Sequence, residues 1–427
     1  PAALVHLAER YGRLPLRTTL APAVRYARQG FPVTEHYRRM ASFRQAVLRR
    51  SPVAAETFLV EGAVPPLGAL IRQPELAKTL EGIAAHGRDG FYAGKPGRRL
   101  VAGVRAAGGI WRRQDLSDYR VVERKPIRGH YHGFTITSAA PPSSGGVALV
   151  TMLNILSGYD LDILERPARD HLIIEAMRRA YRDRAEYLGD PDFVDVPVAR
   201  LIHPYYAAGL RASIRRDRAT RSAALPGFAA AERGHHTTHF SVLDRDGNYV
   251  AATLSINYPF GSGVVVPGTG VLLNDEMDDF SAKPGAPNVY GLVGAEANAI
   301  APGKRMLSSM TPTFMDDGKR LAIFGTPGGS RIITMVLLGA LEFARGGGPQ
   351  GMVTAPRFHH QYLPDRVEYE PGAFEAKTAR ALEAMGHRLA PLDRTYGNMQ
   401  VVVWDRAAGR VSAASDPRGE GQATVRP

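Results

Sequence analysis

The sequence predicts a layered α+β fold built around an antiparallel sheet, and three observations carry that expectation. Apolar residues recur at helical spacing through the first part of the chain. Two hairpin signatures stand in the second part, followed by helical stretches and a further strand. The longest apolar run, 332–344, is interrupted by Glu342 and is too short to span a bilayer, so a globular protein without a membrane span is expected.

The elements follow in order. Residues 3–13, 19–29, 35–50, 74–86 and 97–107 each repeat apolar side chains at helical spacing, with Gly30 and Gly87 as stops and Pro74 in a first turn. Alternation over 127–138 reads as a strand or hairpin. The turn-rich stretch from Ala140 to Gly146 opens an apolar helix over 147–156, either as a plain loop or as an anion site at a helix start. A long helix over 168–188 interleaves His171, Glu175, Arg178, Arg179, Arg182, Asp183 and Glu186, which predicts a solvated face with Glu175–Arg179 and Arg182–Glu186 pairs. Residues 220–236 lose pattern and read as a linker. Strands are then expected at 238–243 and 249–255 around Asp244-Arg-Asp-Gly-Asn248, and at 311–315 and 321–325 around Asp316-Asp-Gly318. Helices at 331–344 and 374–385 precede a final strand at 399–404.

Charge marks a seam. The 427 residues hold 54 Lys and Arg against 41 Asp and Glu, a formal net charge of +13. Residues 1–236 hold 36 basic and 22 acidic side chains (+14), and residues 237–427 hold 18 and 19 (−1). An acidic partner such as nucleic acid is one reading of such an excess. The Arg are strewn along helices rather than gathered in a tail, so an Arg-rich solvated surface is expected, and no nucleic acid. The main boundary is placed at 236/237, dividing a mainly helical 1–236 from 237–427. Absence of cysteine excludes disulfide scaffolds, zinc ribbons, thiolate nucleophiles and iron–sulfur clusters. The start at Pro1, without Met or a signal-like stretch, reads as processing or a fragment.

Several segments offer chemistry, each with a plainer alternative. Thr237 becomes a nucleophile if cleavage before it frees its own α-amine as base; otherwise Thr-Thr at a strand start is ordinary β-propensity. The acids in Leu273-Asn-Asp-Glu-Met-Asp-Asp-Phe-Ser281 can meet a metal, an amine or only water. Ser308 and Ser309 stand before a strand, where hydroxyls also serve turns. Gly325-Thr-Pro-Gly-Gly-Ser330 opens a helix and can expose N–H groups to an oxyanion or a phosphate, but lacks the Lys of a P-loop. His235, His236, His239, His359 and His360 lack the spacing of a helical ligand pair, so no metal is expected.

Taken together, Thr237-Thr-His-Phe-Ser241, Asp246-Gly-Asn248, Asn274–Gly285, Pro287–Gly291, Leu307-Ser-Ser-Met310, Pro327-Gly-Gly-Ser330 and Ala355–His360 resemble the small-subunit region of γ-glutamyltransferases. Pro141–Gly146 and Tyr187–Phe193 resemble the large-subunit region, in matching order. The resemblance implies an N-terminal-nucleophile hydrolase with a four-layer αββα sandwich of stacked antiparallel sheets, made as one precursor that cleaves itself between His236 and Thr237. It further implies that the large and small segments stay associated as a heterodimer, without a cofactor.

Roles implied by the resemblance are the following. Thr237 is the nucleophile, and Ser255 takes the place of a Thr whose hydroxyl assists it. Gly328 and Gly329 supply oxyanion N–H groups. Asn257, Glu276 and Asp279 hold the substrate's α-ammonium, and Ser308 and Ser309 its α-carboxylate. Tyr290, within a lid loop over 284–295, shields the acyl-enzyme. Substrates would be glutathione-like γ-glutamyl amides, with water, amino acids or dipeptides as acceptors. An Arg that pairs with the α-carboxylate in the family lies upstream of Pro1, and nothing in the sequence nominates a replacement. A periplasmic or secreted location is implied by relatives. The alternatives are a related acylase taking a glutaryl- or oxamate-type amide, and an unprocessed, non-catalytic binding relative.

Overall fold

The structure is a computed structural model that describes residues 1–225, 237–281, 283, 292 and 294–426. The chain divides into two compact units, residues 1–123 with 256–275, and residues 124–255 with 276–427. The seam expected at 236/237 concerns the covalent chain and falls within the second unit.

The second unit holds the larger core. Its sheet strands are β1 (Ile127–Tyr131), β2 (Phe134–Ser138), β5 (Thr313–Asp316), β6 (Arg320–Gly325), β7 (Gln400–Asp405) and β8 (Arg410–Ser415), while β3 (Thr238–Leu243) and β4 (Tyr249–Leu254) form a separate hairpin. The six-stranded sheet runs β8-β7-β6-β5-β2-β1 and is antiparallel throughout. Register sets Ile323 between Phe314 and Val402 at its centre. Helices α1 (Gly145–Leu156), α2 (Arg166–Tyr187) and α3 (Ile332–Ala344) bury apolar side chains with residues of this sheet in one cluster that includes Ile136, Leu149, Met177, Phe324 and Val336. Every residue of α1 is buried, which accounts for its largely apolar composition, and its polar Thr151 and Asn154 bond to the backbone oxygens of Leu201 and Ile202.

Hairpin β3–β4 packs on β6 and β7, so two antiparallel sheets stack. Ser241 Oγ donates to Gln400 O at 3.2 Å, and the rings of Tyr249 and Phe314 meet edge-on at 4.8 Å. The hairpin turn closes as its sequence predicts: Asp244 Oδ1 accepts from the N–H groups of Asp246 and Asn248, and Gly247 takes φ 81°.

Two expectations are corrected. The sheet does not end at 399–404, because β8 pairs with β7 from Gln400↔Ser415 to Asp405↔Arg410. Its sequence, Arg-Val-Ser-Ala-Ala-Ser, carries little β-propensity; the neighbouring strand, not local preference, makes it a strand. Helix α2 is also not solvated: Glu175, Arg178 and Arg179 lie in the interior. Glu175 Oε2 accepts from Arg179 Nη1 at 2.6 Å, Oε1 accepts from Arg178 Nε at 3.2 Å and Thr220 N at 3.1 Å, and Arg178 also pairs with Asp365. Burial pushes the Glu175 carboxyl up, but the two guanidinium charges override it and hold the group down at about 2. The helix is locked from inside by charges that satisfy one another.

The first unit is mainly helical, with helices Ala2–Arg10, Leu16–Gln29, Glu35–Leu48, Pro52–Phe58, Pro74–His86 and Gly94–Ala106. Thr34 caps the third of these by accepting from Tyr37 N, and Pro74 begins the fifth as expected. Segment 256–275 is fastened among them, with Thr79 Oγ1 donating to Thr269 O at 2.6 Å and Arg44 Nε to Pro259 O at 3.1 Å.

Candidate active site

The candidate nucleophile stands at the open end of hairpin β3–β4. The ladder pairs Thr238 with Leu254 and His239 with Thr253, and continuing that register sets Thr237 opposite Ser255. Side chains two apart share a face of a strand, so Thr237 and Ser255 share theirs with His239 and Thr253. His239 is buried and fixed at both ring nitrogens. Its Nδ1 is 2.8 Å from Thr253 Oγ1 and its Nε2 is 3.1 Å from Ser241 Oγ. Because the Ser241 hydroxyl donates to Gln400 O, Nε2 must carry the proton and Nδ1 must accept from Thr253. Burial lowers the imidazole to about 3, so it stays neutral. Its ring lies against Gly325, where an added Cβ would come within 2.3 Å of Cε1.

Gly325 ends β6, and the loop that follows contains the two predicted oxyanion glycines. Gly328 (φ 145°) and Gly329 (φ 58°) both occupy backbone conformations that side chains disfavour. Thr326 Oγ1 accepts from Asn398 N at 3.2 Å, Arg331 N donates to Gly328 O at 3.2 Å, and the Tyr181 hydroxyl donates to Ser330 O. The loop then enters α3. Consecutive glycines before a helix suit N–H groups aimed at developing negative charge.

Acids and hydroxyls are gathered elsewhere in the same unit. Glu276 and Asp279 share one 3-10 turn, Glu276–Asp279. Ser308 N donates to Pro142 O and Ser308 O accepts from Ser144 N, both at 2.8 Å, which joins the serine pair to the loop before α1. Two residues that the sequence does not single out join this cluster. Arg184 is buried on α2, with Nη2 3.2 Å from Ser309 Oγ and Nε 2.9 Å from Ser144 Oγ. Burial lowers its pKa, while Tyr181 and the Asp279 carboxylate draw it back up. The second is Asn298, whose Nδ2 donates to Asp279 O at 2.7 Å and whose Oδ1 accepts from Leu307 N at 3.0 Å. A signal for Arg184 did exist. It follows Ile173, Met177 and Tyr181 at helical spacing, placing a guanidinium on the apolar stripe.

Asn257 belongs to the first unit, where it takes φ 66° and its Nδ2 donates to Asp275 O at 3.1 Å. Tyr290 lies outside the described residues, as do most of the lid expected at 284–295, His235 and His236. His359 and His360 have structural partners: Thr334 Oγ1 and Gln361 Oε1 for the first, Asp365 and Tyr362 N for the second. The donor atoms of His171, Glu175 and His387 do converge within 4.8 Å. Arg178 and Arg179 already occupy that carboxylate, and their two positive charges oppose a cation there. A cavity of about 710 Å³ opens near Tyr131, Tyr159 and Phe358. It contains none of the predicted site residues, and its Arg166 and Arg345 are paired with Asp170 and Asp162.

A family model described as Gamma-glutamyltranspeptidase matches residues 1–426. The glutathione hydrolase proenzyme of Escherichia coli (strain K12) is 42% identical over 418 residues, covering 96% of this chain and 71% of its own length. The Acylase ACY 1 proenzyme of Pseudomonas sp. (strain SE83) is 38% identical over 417 residues, covering 96% and 72%. Among solved structures, the cephalosporin acylase from Bacillus halodurans matches with a TM-score of 0.85 at 29% identity, over 99% of this chain and 76% of that one. No helix among the described residues is long and apolar enough to cross a membrane.

Proposed function

Because the chain belongs to the gamma-glutamyltranspeptidase family, we propose that it hydrolyses and transfers the γ-glutamyl group of glutathione-like amides through an acyl-enzyme on Thr237. Cleavage between His236 and Thr237 comes first, leaving residues 1–236 and 237–427 as associated large and small segments. The freed α-amine, with a pKa near ~8, then serves as the base beside the hydroxyl.

Each step balances. The Thr237 hydroxyl oxygen adds to the γ-carbonyl carbon and its proton passes to the α-amine. Gly328 and Gly329 N–H groups receive the oxyanion; loss of one such donor typically costs ~3–4 kcal/mol of transition-state stabilisation. The C–N bond breaks as the proton moves to the leaving amine, giving a glutamyl ester. Water or an acceptor amine then attacks that ester, releasing glutamate or a new γ-glutamyl amide and restoring the hydroxyl. Ser255 assists the nucleophile.

One observation carries the substrate assignment. A γ-glutamyl head bears an ammonium and a carboxylate on one carbon, and in the second unit one Asn298 amide joins Asp279 O to Leu307 N, beside Ser308 and Ser309, while buried Arg184 touches Ser309. Glu276 and Asp279 take the ammonium; Ser308 and Ser309, with Arg184 behind them, take the carboxylate. Arg184 thereby places positive charge in this chain at the carboxylate pocket.

A second reading, an acylase of glutaryl- or oxamate-type amides, is favoured by the acylases among the similar proteins. The ammonium-binding acids separate the two, since a glutaryl group offers them nothing. Turnover of γ-glutamyl and glutaryl anilides is the test, and preference for glutaryl defeats the first reading. Intact mass should show cleavage at 236/237 in the wild type and none in Thr237→Ala, which should also lack turnover. Cleavage retained in Thr237→Ala would place the nucleophile elsewhere.

A further inference from the structure

We propose that Asn298 is a positioning residue that fixes the separation of the acidic turn from the serine pair, and so makes the site selective for acyl groups bearing both an ammonium and a carboxylate. The inference rests on the roles proposed above for Asp279, Ser308 and Ser309.

Asn298 is buried and uses both ends of one amide. Its Nδ2 donates to Asp279 O at 2.7 Å, and its Oδ1 accepts from Leu307 N at 3.0 Å. Its backbone oxygen accepts from Ser281 N at 2.9 Å, so the acidic turn is held at Asp279 and again two residues later. Leu307 leads directly into Ser308, which the loop before α1 fixes through Pro142 and Ser144, and into Ser309, which accepts from Arg184. A single planar group therefore bridges the two half-sites, and neither of its bonds is to solvent.

The spacing matters because of the ligand's covalent geometry. An α-ammonium and an α-carboxylate hang from one carbon, so acid and hydroxyls must be held at one separation, to within roughly 0.5 Å. If that separation drifts, a ligand still satisfies either half alone, but not both together. The role of Asn298 is thus visible as discrimination rather than as overall rate. Only an amide of this length supplies a donor on one side and an acceptor on the other. Asp keeps the acceptor for Leu307 and loses the donor to Asp279; Ala loses both.

The experiment compares three anilides on the processed protein: γ-glutamyl, glutaryl (no ammonium) and 4-aminobutyryl (no carboxylate). In Asn298→Asp, kcat/KM for the γ-glutamyl substrate should fall about tenfold relative to glutaryl, mainly through KM, as expected for one lost buried hydrogen bond, and in Asn298→Ala, which loses both, by at least as much. Turnover of the two single-charge substrates should stay within about twofold of wild type. Asp279→Ala is run alongside. If it leaves the γ-glutamyl preference unchanged, the ammonium assignment itself fails. If it removes the preference while both Asn298 variants keep it, only the role of Asn298 is overturned. Equal losses on all three substrates, or failure of both variants to cleave and fold, would make Asn298 a structural residue and overturn the proposal.

Discussion

Substituting Gly325→Ala drives a methyl group into the ring that joins the nucleophile strand to the glycine loop. The new Cβ would sit 2.3 Å from His239 Cε1 and 2.5 Å from Nδ1. Ordinary carbon contacts are about 3.5–4.0 Å, so the imidazole must retreat by more than about 1 Å. It cannot do so and keep its hydrogen bonds at 2.8 Å to Thr253 and 3.1 Å to Ser241. Two buried hydrogen bonds at about 1 kcal/mol each and overpacking of about 1–3 kcal/mol give a destabilisation of about 3–5 kcal/mol. Thr237 lies two residues before His239 and the loop of Gly328 and Gly329 begins at the next residue after Gly325. A displacement near 1 Å between them should cost on the order of 100-fold in kcat. Urea unfolding measures the first quantity, and single-turnover acylation by a γ-glutamyl anilide the second. The double variant Gly325→Ala/His239→Ala has room for the methyl, so it should match His239→Ala alone to within about 1 kcal/mol. Additive losses, or a neutral Gly325→Ala, would refute the wedge.

Three further outcomes are expected. Glu175→Gln leaves Arg178 and Arg179 buried with their shared carboxylate gone, and should cost about 3–5 kcal/mol in denaturant unfolding. Burial depresses His239 and His387 to about 3, His359 to about 3 and His360 to about 4, each below the unfolded value. Their contribution is therefore complete above about pH 6.5 and is lost as pH falls toward those folded values, so thermal stability should decline steadily from pH 7 to pH 4. Arg184→Lys keeps a charge but loses the two-pronged contact to Ser144 and Ser309. It should raise KM for γ-glutamyl and glutaryl anilides about tenfold while sparing 4-aminobutyryl, as steady-state kinetics can check.

Much of this architecture was legible in the sequence because it is local. Hairpin β3–β4 is dictated by Asp244-Arg-Asp-Gly-Asn248, and the helix start at Pro74 falls where its ring favours it. What escaped is set by partners that spacing and propensity do not reveal. Strand β8 has weak propensity and exists through its register with β7. Charges on α2 read as surface pairs because spacing alone shows Glu175 facing Arg179, not that Thr220 and Asp365 close over them. Asn298 is unremarkable in Glu-Ala-Asn-Ala; its role comes from Asp279 and Leu307, 19 and 9 residues away.

The inward charges of α2 also separate formal charge from response to salt. Counterions screen charges they can approach, with a Debye length of about 10 Å at 0.1 M. Pairs such as Arg28–Glu81 and Arg345–Asp162 stand exposed and fade as salt rises. Glu175, Arg178 and Arg179 exchange charge where no counterion enters. An ionic-strength series would therefore strip the outer pairs and leave this lock intact, so the part of the basic excess that holds the fold together is the part that brine cannot reach.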